Sequence, residues 1–582
     1  MTNRWHLRLA RAAIFASISV APAAQCATPE DRVEVEIQAS SSDLAAQLRD
    51  NLSIAEERND ASEARIQALH RRARAEIERV LQARGFYEPS IQTNLIRDGA
   101  RWVARYTVDP GPPVLLRDVD IEVRGEPADP ALTAIVAALP LHAGDRLDHL
   151  AYREARAELE RTASARGYFD ARFTASAIEV DVRRRAADIR LHVQTGPRYR
   201  FGTLAIPETV IRADLIRRFA TFSAGDAFLE SELLATQRAL MDSDYFETVT
   251  VDPRRTDATP GEVPVTVTLR PRPRNRYSAG LGFGTDTGPR ARAGWERRYV
   301  NDRGHRLFAD ARVSQALFGA DARYVLPVGD PSRDAITLSA AVIAEQTDSA
   351  HSRRFQVGPS YSTVIGHWRA NASLDFMVEN FDVARDDGTS RLLVPRLQLR
   401  RTWNDGAAGS GDGRRLTVEL AAADDALLSD VSFMQIRLGA KLVRTLLPRT
   451  RLITRADVAA SAVSRFQALP ATLRLFAGGD TSVRGFAFES LGPRDASGKV
   501  VGGRHLVAAS VEIERRIHGN WGVALFTDAG NAFDDSPAPL HHSVGAGIRW
   551  QSPIGPVRLD VAAGISEPDV PVRLHLVIGP DL

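Results

Sequence analysis

Asp286-Thr287-Gly288 has the form of an aspartic-protease signature, whose carboxylate works only when a second one shares its proton. The chain holds no second Asp-Thr-Gly, and Gly288-Pro289 reads as an ordinary turn closing a strand. Gly280-x-Gly282-x-Gly284 is no phosphate cradle, because no helix follows it. His541-His542 sits in a Pro-rich loop without a fixed third ligand, so no metal site, cofactor or enzymatic constellation is expected. The stretch that remains runs from Ala477-Gly478-Gly479-Asp480-Thr481-Ser482-Val483-Arg484-Gly485-Phe486 through Gly492-Pro493 to Gly502-Gly503. It has neither helical nor strand periodicity, and loops of that length are usually functional or disordered. Paired glycines, one arginine before a glycine and an aromatic after it suit a loop folded back onto something, with Arg484 as anchor. Phe526-Thr527-Asp528-Ala529-Gly530 supplies a carboxylate two predicted strands further on, with Arg549, Arg558 and Asp560 on neighbouring strands. An arginine carried into a narrow lumen needs such a partner, since an unpaired buried charge is costly. From spacing alone, a solvated Arg484 and an Asp528 that merely lines a wall stand equally well.

The elements that must position these residues follow from length and pattern. At 582 residues several domains are expected, and a net charge of +2 makes no electrostatic case for a nucleic-acid partner. Arg4, Arg8 and Arg11, the apolar run Ala12–Val20, and small residues at Ala21, Ala23 and Ala24 predict a secretory signal over residues 1–26. The run is too short for a transmembrane anchor, and Gln25 before Cys26 is a poor lipobox residue. With at most one cysteine after cleavage, no disulfide framework holds the chain. No later segment approaches 18 apolar residues, so a helical membrane protein is excluded. A soluble exported protein and a membrane β-barrel remain.

Residues 31–272 repeat. Gly85-Phe86-Tyr87 recurs as Gly167-Tyr168-Phe169 and Asp244-Tyr245-Phe246, each after an amphipathic helix pattern. The stripes are Ile66, Leu69, Ala73, Ile77, Val80 and Leu81; then Leu150, Ala151, Ala155 and Leu159; then Leu233, Leu234, Leu240 and Met241. Each unit reads as strand, two helices, two strands, with boundaries 31–113, 114–197 and 198–272. The spaced set resembles the POTRA domain, a periplasmic module that binds partner chains by adding them to a sheet edge.

From residue 273 to 582 strict alternation replaces helical spacing. In Tyr277–Gly284 every odd residue is apolar and every even one is Ser or Gly. Val544, Ala546, Ile548 and Trp550 alternate with Gly545, Gly547, Arg549 and Gln551, and Val572, Leu574, Leu576 and Ile578 with Arg573 and His575. An aliphatic face opposite one of Gly, Arg and Asp is the dyad of a transmembrane antiparallel barrel. At roughly 19 residues per strand plus connection, Arg276–Leu582 makes about 16 strands, with 14 also open. The glycines Gly280, Gly282 and Gly284 should pair weakly with Val572–Ile578, including Leu574 and Leu576, leaving a seam that opens sideways.

Gly478-Gly479 with Val483-Arg484-Gly485-Phe486, Phe526-x-Asp528-x-Gly530, and Gly545-x-Gly547-x-Arg549-Trp550 resemble, in order, the signature segments of the BamA/TamA outer-membrane assembly superfamily. The resemblance implies that loop 477–503 plugs the barrel with Arg484 paired to Asp528. Three repeat units, Leu269–Asn275, Gly284–Arg290 and the terminal Leu574–Leu582 resemble the TamA (translocation and assembly module) type, although the chain ends in Leu rather than an aromatic. It further implies a non-enzymatic assembly factor in the bacterial outer membrane and its lipid, with POTRA domains in the periplasm. Its clients would be unfolded autotransporters and related barrels, and its partner a TamB-like, inner-membrane-anchored protein. Two alternatives stand beside it: a two-partner secretion transporter for one dedicated substrate, and TamB-linked phospholipid traffic.

Overall fold

The computed structural model describes residues 32–99, 101–125, 129–259, 261–404, 412–534, 539–553 and 555–578. The expected signal over 1–26 and the last four residues of the terminal segment lie outside the described residues. The chain divides into two compact units, one reaching Arg200 and including Ala227–Leu229, the other holding the remainder.

In the first unit two modules follow one plan. β1 (Glu34–Gln38), α1 (Ser42–Asp50), α2 (Glu63–Ala83), β2 (Ser90–Asp98) and β3 (Arg101–Asp109) build a sheet of order β1-β3-β2. β4 (Leu115–Arg124), α3 (Pro130–Ala138), α4 (His149–Ala165), β5 (Arg172–Asp181) and β6 (Ala186–Gln194) repeat it as β4-β6-β5. Helix α2 buries Ile66, Ala73, Ile77 and Leu81 in one cluster with Ala104, Tyr106 and Val108 of β3. On α4 the buried stripe is Tyr152, Ala155, Leu159 and Ala163. Leu150 belongs to the solvent face instead, because Asp148 caps the helix and leaves position 150 in its first turn. Both long helices end in a Schellman closure: Phe86 N donates to Leu81 O and Tyr168 N to Ala163 O, each at 2.9 Å, across Gly85 (φ +84°) and Gly167 (φ +88°).

The second unit contains the third module, β7 (Arg200–Ala205), α5 (Ala213–Arg217), α6 (Glu230–Asp242), β8 (Phe246–Pro253) and β9 (Glu262–Pro271) in the order β7-β9-β8. Here α6 buries Leu233, Thr236 and Leu240, while the expected Leu234 and Met241 are exposed. The stripe follows the i, i+3, i+7 spacing, and Thr236 Oγ1 fits inside it by accepting Thr221 N at 3.0 Å. Where the other modules close with glycine, this one has Asp244 at φ +62°. The left-handed backbone strain is offset by its carboxylate, which pairs with Arg298 (2.9 Å), Arg272 (3.3 Å) and Arg306 (3.8 Å). Tyr245 Oη adds a bond to Gly304 O. The closure thus seats the module on the barrel turn that carries Arg298 and Gly304.

The barrel closes sixteen antiparallel strands in sequence order. They are β10 (Asn275–Gly284), β11 (Gly288–Arg297), β12 (Arg306–Ser314), β13 (Leu317–Pro327), β14 (Ala335–Gln346), β15 (Ala350–Ile365), β16 (Trp368–Val383) and β17 (Asp386–Asn404). The second half is β18 (Gly413–Ala423), β19 (Phe433–Leu447), β20 (Thr450–Val463), β21 (His505–His518), β22 (Trp521–Phe533), β23 (His541–Ser552), β24 (Gly555–Gly564) and β25 (Val572–Ile578). Leu338, Val342, Leu438, Val458, Leu525 and Val561 are all more than a third exposed on the outer wall. In water that face would be a large liability; in lipid it is the required surface. The inner wall is charged, as in the Asp310 carboxylate that accepts from Arg292 and Arg323.

Candidate functional site

The connection between β20 and β21 is longer than the aperiodic stretch in the sequence, running from residue 464 to 504. It is folded back on itself by backbone pairs Leu475↔Gly503, Ala477↔Leu491 and Arg494↔Val500. Val483 and Phe486 pack with Leu475, Ala477 and Leu491 of the loop and with Ala459, Leu506 and Ala532 of β20, β21 and β22, so the loop and the barrel wall share one apolar cluster. At Gly485 (φ +113°) an added Cβ would lie 2.9 Å from Gly564 N and 3.0 Å from Ser543 Cβ. Only glycine brings the loop backbone this close to the wall made by β23 and β24.

That approach carries Arg484 into a closed charge network. Its Nε and Nη2 form a fork on Asp528 Oδ2 and Oδ1, both at 2.9 Å, and its backbone N also donates to Asp528 Oδ2 at 3.0 Å. Nη1 reaches Glu512 Oε2 at 2.7 Å and Asp560 Oδ2 at 3.5 Å, and Nη2 reaches Ser510 Oγ at 3.2 Å. The guanidinium lies over the Phe526 ring, 3.4 Å from its centroid, so one face is held by a cation–π contact. Arg484 is 3% exposed and Asp528 1%. Arg549 is a second cation rather than a partner of the loop: it shares Glu512 (2.7 Å) and Asp560 with Arg484 and takes Glu514 at 3.0 Å. Fork geometry with every oxygen engaged is the arrangement that offsets the desolvation of buried charge.

Asp528 and Asp560 were expected on the lumen wall; Glu512, Glu514 and Ser510 were not singled out. Their signal was present as Ser510-x-Glu512-x-Glu514, a polar dyad on the strand that follows the loop. Gly478 and Gly479 shape the loop's turn beside Asp286: Asp480 N donates to Asp286 Oδ2 at 2.7 Å, and Asp480 Oδ1 meets Nδ1 of the buried His575. The first hairpin, the loop and the last strand therefore meet at three side chains distant in sequence. Asp286 is not merely a turn residue.

The seam is narrower than expected. Among the described residues β10 pairs with β25 through Phe283↔Ile578 and Gly284↔Val577 only, against ten register pairs with β11. Thr285 extends it, with N donating to Leu576 O at 3.1 Å and Oγ1 accepting Leu576 N at 2.7 Å. Gly282 lies against the strand end, where a Cβ would come within 2.8 Å of Ile578 O. Among the described residues nothing lies within 4 Å of a Cβ at Gly280, and Leu574 pairs with Val561 and is 56% exposed. The register slides the short last strand toward the Gly284 end of β10, so Val572–Val577 meets little of β10 among the described residues.

A further anchor is Glu489, held at φ +55° in the loop. Its carboxylate accepts from Thr347 Oγ1 (3.1 Å) and its carbonyl from Ser349 Oγ (2.9 Å), both on the turn between β14 and β15. Burial, with the charge of Glu345 beside it, pushes its carboxyl up to about 7. A raised acid pKa means that the docked loop holds the proton. Its contribution is complete below about pH 4.5 and lost as pH rises through 7, on the order of 3 kcal/mol in all. The melting temperature of the folded barrel should fall between pH 5 and pH 8, and Glu489→Gln should flatten that slope by holding the pH 8 value up.

A sixteen-stranded lipid-facing barrel, preceded by sheet-and-helix modules and filled by a loop anchored through a buried arginine, defines a class of outer-membrane protein. The Omp85 superfamily domain matches residues 274–580, more than half of the chain, and the chain belongs to the Omp85 superfamily. Members of that superfamily form outer-membrane insertion and secretion machinery. The POTRA domain described as TamA domain 1 matches residues 34–110. BamA from Haemophilus ducreyi lacking POTRA domains 1–3 has the same fold, with a TM-score of 0.67 at 16% identity over 80% of this chain and 99% of that one. CdiB from Acinetobacter baumannii aligns over 88% of this chain and 97% of its own, at 14% identity and a TM-score of 0.47.

Proposed function

We propose that this protein is a translocation and assembly factor of the bacterial outer membrane that inserts or secretes autotransporters and related β-barrel clients. The incoming strand is templated on β10 where the barrel seam opens. The observation that carries this reading is the ladder between β10 and β25, two register pairs among the described residues, beside an otherwise continuous barrel. At about 0.5–1.5 kcal/mol net per hydrogen bond, parting so few bonds costs only a few kcal/mol, while parting any full strand pair costs several times more. The parted edge is a row of free amides and carbonyls, which a client strand satisfies by augmentation. The modules before the barrel lie in the periplasm in this reading. Their sheet edges receive a TamB-like partner, anchored in the inner membrane, that delivers the chain. Affinity purification from intact envelopes should recover that partner and several barrel clients. Recovery of one dedicated secreted substrate would replace this reading with a two-partner secretion transporter, and recovery of phospholipid without protein clients with lipid traffic.

A further inference from the structure

Inward arginines of this barrel are generally matched to acids. Arg292, Arg312, Arg323, Arg396, Arg437 and Arg451 each have a carboxylate within 4 Å. Arg415 and Arg455 break the pattern. Arg415 makes no ion pair among the described residues, and Arg455 has only Ser510 Oγ, at 3.3 Å. The register places them in one transverse row, Arg415↔Lys441↔Arg455↔Ser510, with a lysine between the two arginines.

The row lines a cavity of about 240 Å³ that the loop covers with the hydroxyls of Thr481 and Ser482. Its one carboxylate, Asp457, is already gripped by Arg437 Nε at 3.0 and 3.2 Å. Ser510 Oγ accepts from both Arg484 and Arg455, which uses its two lone pairs and leaves its proton with no acceptor among the described residues. Converging cations, two guanidinium forks and unspent hydroxyl donors form a receptor for a multiply charged tetrahedral oxyanion; a lone carboxylate would leave most of these donors unmatched. We infer that Arg415 and Arg455, with Ser510 and the loop hydroxyls, bind a phosphate group that bridges the barrel wall to the inward loop. The phosphate comes from inorganic phosphate or from a lipid headgroup.

The test uses the full chain folded in phosphate-free detergent buffer, titrated with inorganic phosphate while chloride holds ionic strength constant. A saturable rise in melting temperature is expected, with the half-saturating concentration raised at least tenfold by Arg415→Gln and by Arg455→Gln. Without phosphate both variants should melt close to the parent, because neither arginine has an ion pair to lose among the described residues and Arg455 gives up only its bond to Ser510; a merely structural arginine would give a clearly lower value. A second arm reconstitutes the chain in phosphatidylglycerol vesicles and in vesicles of a phosphate-free galactolipid. Stabilisation by phosphatidylglycerol alone assigns the headgroup, and stabilisation by added phosphate in the galactolipid assigns the free ion. Absence of both responses, or a response the two variants leave unchanged, overturns the site.

Discussion

Arg484→Glu should unseat the loop from the barrel wall and lower the stability of the folded barrel by several kcal/mol. Removing one partner of a buried, hydrogen-bonded pair costs about 3–5 kcal/mol, and reversal adds a carboxylate among Asp528, Glu512 and Asp560. The apolar cluster that Val483 and Phe486 share with Ala459, Leu506 and Ala532 of the wall parts with the ion pair, so the loss falls on docking of the loop. Conductance in planar bilayers should rise as the plug leaves the lumen, and the melting temperature in detergent should drop. Arg484→Lys should fall between, since an ammonium keeps the charge but not the fork on Asp528. The combined Arg484→Glu and Asp528→Arg protein should recover part of the loss, with Arg549 still sharing Glu512 and Asp560. If the double variant is no better than Arg484→Glu alone, the loop matters but its anchor is not this pair. Unchanged conductance and melting in Arg484→Glu would remove the anchor altogether.

How far such a site can be read from sequence depends on which distances the chain pattern encodes. Alternation encodes face, so an inward Asp528 and a barrel of about sixteen strands were both legible, as was the loop, by its lack of any period. Alternation does not encode register. Glu512 and Asp528 are both simply inward acids until the β21–β22 ladder sets Ser510 opposite Asp528 and brings Glu512 within reach of Arg484. Contacts made only by closure are further out of reach: Asp286, Asp480 and His575 come from the first turn, the loop and the last strand, and nothing local marks them. The seam failed for the same reason. Glycine content predicted a weak pairing, but not that Ile578 would face Phe283 and leave Leu574 outside it. In the modules the helical period predicted α2 well and misplaced Leu150, Leu234 and Met241, because the first and last turns of short helices depend on where the cap falls.

Locking the seam should abolish client assembly while making the barrel harder to unfold. Phe283 and Ile578 stand directly opposite on the outer face of the β10–β25 ladder, where opposed Cβ atoms lie about 4.5–5.5 Å apart, close enough for a disulfide after small adjustment. With Cys26, the chain's one cysteine, changed to serine, Phe283→Cys and Ile578→Cys have only each other to oxidise with. In the chain-entropy picture a bond closing so long a loop adds about 5–6 kcal/mol of stability. The oxidised protein should therefore melt higher than the parent yet insert less than about a tenth as much client in a reconstituted vesicle assay, a threshold far outside the effect of ordinary surface substitutions. Reduction should return both values. The opposite signs matter, because a variant that failed through misfolding would lose stability and activity together. A two-partner secretion transporter that passes its substrate through the lumen would keep its activity with the seam locked. Full client insertion by the oxidised, correctly folded barrel would thus rule out templating on β10.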